Sequence, residues 1–214
     1  MTLLLYALDL LVIAAHMFLR NKLGFFDLDA EGNLASLYSG AKLWTIATLT
    51  LGHAAILFRV RAPRRHAIAF FLFALGVAYI GLDDMMGVHE RMGFVLNNLF
   101  GTGGFYGESF NWLFYFAPFM IAACAVFIAV IRFLWRMERT AAWWFVAGVT
   151  LWIASIGTEF LGRYFILQTT VNVPAYHILI VIEEALEIFG ATALFTALFR
   201  ATRGAIRRHV RVVE

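Results

Sequence analysis

Apolar residues in this chain do not alternate with polar ones but come in unbroken runs of about 20, parted by short polar stretches. A run of that length crosses a hydrocarbon layer of roughly 30 Å as a helix, whereas a membrane β-strand would show alternation. Helices satisfy their own backbone hydrogen bonds, which lipid cannot do for them. The pattern predicts an all-α polytopic bundle of six spans, near residues 2–19, 36–58, 67–90, 110–132, 141–162 and 175–199. It forms a single transmembrane domain over 1–214, with no internal repeat.

Composition agrees with this reading. The chain is 62% hydrophobic and 14% charged, against about a quarter charged in soluble domains, so its surface must face lipid. The first run has no basic leader, carries Asp9 and His16, and reads as a span rather than a signal peptide.

Charge fixes a direction. Twelve of the 17 basic residues lie in three clusters: Arg59, Arg61, Arg64 and Arg65; Arg132, Arg136 and Arg139; and Arg200, Arg203, Arg207, Arg208 and Arg211. The clusters follow the second, fourth and sixth spans, so the positive-inside rule places both termini in the cytoplasm of a bacterial inner membrane. Asp27, Asp29, Glu31 and the glycine-rich stretch 101–107 then face the periplasm. No nucleic-acid signature is present, and the basic loops report topology.

Ionisable residues inside spans are rare, costly and by default functional. Here Asp83, Asp84, His89, Glu90 and Arg91 close the third span, Glu159 and Arg163 sit in the fifth, and His177, Glu183, Glu184 and Glu187 in the sixth. Counted from the cytoplasmic arginines at 1.5 Å per residue, Asp83 lies at ~27 Å, Glu159 at ~30 Å, Glu184 at ~24 Å and Lys42 at ~26 Å; His16 lies at ~22 Å from the N-terminus. The three acidic sets are expected to converge in one periplasm-facing pocket. On a continuous third span, Asp83 and Glu90 would share a face.

Carboxylates and imidazoles on facing helices are how bundles hold iron, manganese or zinc. The sequence therefore supports a metal site of one or two ions on Asp83, Asp84, His89, Glu90, Glu159, Glu183, Glu184 and Glu187. His177, Arg91, Arg163, Lys42 and His16 stand as supporting groups or alternative ligands. Any enzymatic role would be metal-dependent chemistry on a lipophilic substrate.

Three alternatives compete with it: a proton- or cation-coupled transporter, an accessory subunit of a larger complex, and a structural network pairing Glu159 with Arg163 and Asp84 with Arg91 or Lys42. The transporter lacks an inverted repeat to support it. Haem on His16 and His53 is disfavoured by their different depths. Asp9 reads as a satisfied polar residue, Cys124 as packing, and Trp143 and Trp144 as an interfacial belt.

The segments Asp27-Leu-Asp29-Ala-Glu31-Gly-Asn33, Leu82-Asp83-Asp84 to His89-Glu90, and Glu183-Glu184-Ala-Leu-Glu187-Ile-Phe-Gly190 resemble those of an uncharacterised group of bacterial multi-pass membrane proteins. In that group the third-span motif commonly reads Leu-Asp-Glu, so Asp84 stands one methylene short. The resemblance implies a shared fold and a shared carboxylate-histidine site, and supplies no activity.

Overall fold

The computed structural model describes residues 1–19, 23–27, 33–100, 111–168 and 173–213, and every regular element in them is helical. The helices are α1 (Thr2–Leu19), α2 (Leu34–Arg59), α3 (Arg64–Met86), α4 (Val88–Phe100), α5 (Asn111–Met137), α6 (Arg139–Gln168) and α7 (Val173–Val213), with one 3₁₀ turn at Gly24–Phe26. Five of them, α1, α2, α3, α5 and α6, are long and apolar enough to cross a membrane. The seventh is longer still, but Glu183, Glu184 and Glu187 interrupt its apolar run.

Outer faces are apolar where a soluble protein would be polar. Leu3 is 86% exposed, Phe18 77% and Ile121 73%, and a membrane is the solvent that leaves such side chains without cost. Cys124, expected as packing, is on this exposed face. Of the two tryptophans expected in an interfacial belt, Trp143 is exposed and meets Trp135 edge-on with centroids 5.1 Å apart, whereas Trp144 packs partly buried against the core.

Local chemistry sets the helix ends. Asn33 caps α2, its side chain accepting from the N–H groups of Ala35 (2.8 Å) and Ser36 (3.1 Å), while the Ser36 hydroxyl accepts from the Asn33 N–H; this reciprocal box satisfies donors that a helix start leaves orphaned. The third span departs from expectation. It stops at Met86 because Gly87 adopts a left-handed conformation (φ 58°) open mainly to glycine, and a separate helix begins at Val88. His89, Glu90 and Arg91 therefore belong to α4, and the shared face of Asp83 and Glu90 does not form.

α2 packs on α3, α3 on α5, α5 on α6, α6 on α7 and α7 back on α2, while α1 lies against α7. Lys42 of α2 reaches Ile188 and Thr192 of α7, and His53 reaches Thr202, so α2 and α7 run parallel. The α2–α3 and α6–α7 hairpins consequently point in opposite directions.

Both hairpins are closed by the same device. In α2, Gly40-Ala-Lys-Leu-Trp44 sets Gly40 against Gly81 of α3, where a Cβ at residue 40 would stand 2.9 Å from the Gly81 carbonyl oxygen. In α6, Gly148-Val-Thr-Leu-Trp152 sets Gly148 against Gly190 of α7, with 2.8 Å to that carbonyl. Each tryptophan indole donates to the carbonyl three residues before the partner glycine: Trp44 to Ala78 (3.2 Å) and Trp152 to Glu187 (3.2 Å). Small residues let backbones approach this closely. A short Gly-x-x-Leu-Trp signature thus occurs once in each hairpin.

The apolar core lies on the arginine side of these glycines. It joins Leu43, Ile46 and Leu57 of α2, Phe70 and Phe73 of α3, Leu134 of α5, Phe145 of α6 and Leu194 and Leu198 of α7.

Candidate functional site

Taking the glycine contacts as a common level, every carboxylate singled out on α3, α6 and α7 lies beyond it, away from the arginines. Asp83 and Asp84 come two and three residues past Gly81. Glu187, Glu184 and Glu183 come three, six and seven residues before Gly190 on the descending α7, and Glu159 comes 11 past Gly148. At 1.5 Å per residue, Asp83, Asp84 and Glu187 lie ~3–5 Å above the glycines, Glu184 and Glu183 ~9–11 Å, and Glu159 ~17 Å.

The acids therefore share one half of the bundle but occupy steps within it. Counting from arginines made them coincide because the starting points differ: Arg65 is 16 residues below Gly81, whereas Arg139 is only nine below Gly148.

Glu187 is held by α6, its carboxylate accepting from the Ser155 hydroxyl (2.7 Å). Asp83, Asp84, Glu159, His177, Glu183, Glu184 and Glu187 are all half-buried, and Arg91 is exposed. The side chains of His89, Glu90 and Arg163 lie outside the described ones. Among the described residues no three His, Cys, Asp or Glu side chains stand close enough to hold a metal ion.

Lys42 and His16 have other engagements. The His16 ring meets the Phe26 carbonyl at 3.2 Å and lies 3.6 Å from the Asp27 carboxylate, which fastens α1 to the 3₁₀ turn. Lys42 pairs with Asp9, and not with Asp84. Asp9 is fully buried and Lys42 8% exposed. Around this pair the Tyr38 hydroxyl donates to one Asp9 oxygen (2.5 Å) and the Thr192 hydroxyl to the other (2.6 Å). The Lys42 ammonium also donates to Thr192 (3.0 Å) and to the Ile188 carbonyl (3.3 Å), and stands 4.7 Å from the centre of the Tyr38 ring.

Three helices thus converge on one charge pair, which sequence reasoning passed over. Its depth ruler for α1 began at the N-terminus. Thr2, however, meets Thr196 (3.4 Å), a full turn inside Arg200, so α1 starts well within the bundle and Asp9 reaches the level of Lys42.

Residues 2–202 match the sequence profile of a domain of unknown function, DUF8692. What the fold defines is a helical protein with several helices long and apolar enough to span a membrane. The chain belongs to the DUF8692 family. Comparison with curated proteins and with solved structures gives no match.

Proposed function

We propose that this is a six-span protein of the bacterial inner membrane, with both termini cytoplasmic, whose acid-bearing half binds a divalent transition metal. Its ligands would come from Asp83, Asp84, Glu159, Glu183, Glu184 and Glu187, with His89 and Glu90 delivered by α4. His177 and Arg91 would serve as supporting groups. The observation that carries the reading is the placement of six carboxylates from three helices on one side of the glycine level. Carboxylates gathered in a membrane interior repel one another, and a cation bound among them offsets that repulsion.

Elemental analysis of protein purified in mild detergent without chelator tests it. The expected result is near-stoichiometric iron, manganese or zinc, a lower melting temperature with chelator, and loss of both effects in Glu184→Ala. Protein that carries no metal and ignores chelator overturns the reading.

A second reading, a cation-coupled carrier, is favoured by a separate observation. The two hairpins run in opposite directions and are closed by the same Gly/Trp device. Inverted pairs of this kind underlie many secondary transporters, with binding sites at the seam between repeats.

A further inference from the structure

The Asp9–Lys42 pair lies on the seam between the inverted hairpins. Lys42 is two residues past Gly40, and Thr192 is two past Gly190. The pair also marks the floor of the acid-bearing half, since the core residues Ile46, Phe70, Phe145 and Leu194 fill the bundle on its arginine side.

The ammonium nitrogen of Lys42 is surrounded as a small cation would be. A carboxylate oxygen of Asp9, the Thr192 hydroxyl and the Ile188 carbonyl face it, with the Tyr38 ring on another side. These hard oxygen donors come from α1 and α7, and the ammonium arrives on a four-carbon stem from α2. Nothing in the cage beyond the stem requires the cation to be covalently attached. A buried ion pair is also poor value for stability alone, because desolvating two charges offsets most of their attraction.

We propose that this cage is a monovalent-cation site, filled by the Lys42 ammonium in this conformation and by an external cation when the α2–α7 seam opens. The ligand is a small singly charged cation, either an inorganic ion or a primary amine. The carboxylates above would draw it to the floor of their half, where it competes with Lys42 for Asp9. This assignment does not rest on the metal reading, because neither Asp9 nor Lys42 belongs to the proposed metal set.

Lys42→Ala empties the cage and leaves its oxygens in place. Melting temperatures of this variant are measured in mild detergent with chelator present, under the chlorides of sodium, potassium, methylammonium and choline. Sodium or potassium on one hand, or methylammonium on the other, should raise the melting temperature by roughly 5–10 °C at a hundred times its dissociation constant. Choline, too large for the cage, should not. Asp9→Asn/Lys42→Ala should respond to none of them, and the wild type much less than Lys42→Ala.

Whichever cation acts identifies the ligand source, and its labelled form should then enter liposomes carrying the wild type and not those carrying Asp9→Asn. If no cation restores Lys42→Ala, the cage is only an ion pair and the proposal is wrong. Should Lys42→Ala fail to fold, uptake of labelled sodium, potassium and methylammonium by the wild type decides the matter, with Thr192→Val as the variant. Uptake no greater than in empty liposomes, or equal in wild type and Thr192→Val, overturns it.

Discussion

The two halves of the bundle are built on opposite principles. On the arginine side of the glycine contacts, α2, α3, α5, α6 and α7 meet through a continuous apolar core. There Phe70 and Phe133 stack edge-on at 5.3 Å, and Phe73 and Phe145 approach to 5.1 Å. On the other side α3, α6 and α7 present half-buried carboxylates, and α4 breaks away from α3 at Gly87. A single chain can sustain both because the glycine contacts clamp each hairpin at the boundary. The larger apolar core lies in the dry half, while the acid half has only a small cluster around Ile13, Ala35 and Ile188 and carries the charge.

The largest expected effect tests the dry half. Phe70, fully buried against His53 and Phe133, should lose about 3 kcal/mol when changed to Ala. That is the low end for such truncations, since lipid and not water is the competing solvent. Unfolding in mixed micelles measures this, and a loss under about 1 kcal/mol would mean the core is looser than its packing implies.

A smaller effect belongs to the clamp. Gly190→Ala would bring a methyl 2.6 Å from the Trp152 ring and 3.1 Å from the Gly148 carbonyl oxygen, contacts that force α6 and α7 apart. It should cost about 1–2 kcal/mol and weaken the Trp152 indole bond, visible as a change in tryptophan emission.

The smallest change is expected in the acid half. In chelator, Glu184→Gln should change stability by less than about 1 kcal/mol, because the amide keeps the shape of the half-buried carboxylate and can hydrogen-bond in its place. A loss as large as that of Phe70→Ala would erase the distinction between the halves.

How much of this was legible in the sequence depends on what each signal measures. Apolar run length is intrinsic to a segment, so α1, α2, α3, α5 and α6 were readable, and their ends were off by only a few residues where capping by Asn33 or continuation past the arginines decided them. The break at Gly87 was not readable as a break. Glycine there was equally consistent with a close helix approach, and only the left-handed backbone distinguishes the two. Depth depends on where each helix enters the membrane, and the arginines do not all enter at one level. That error merged the acids of α3, α6 and α7 into one plane, and counting α1 from the N-terminus hid Asp9 from Lys42. The Gly-x-x-Leu-Trp signature was visible all along but is too short to stand out without the partner glycines beside it.

The unbroken 41 residues of α7 have a mechanical consequence. From Gly190 to Val213 the helix runs 23 residues, an arm of ~35 Å projecting from the seam past the last core residues. If the arm moves as one body, a tilt of roughly 10° about the glycine fulcrum would sweep the far tip through ~6 Å. Rearrangements at the Lys42 cage too small to see directly would arrive at the basic tail magnified, where a spin label could read them like a pointer on a dial.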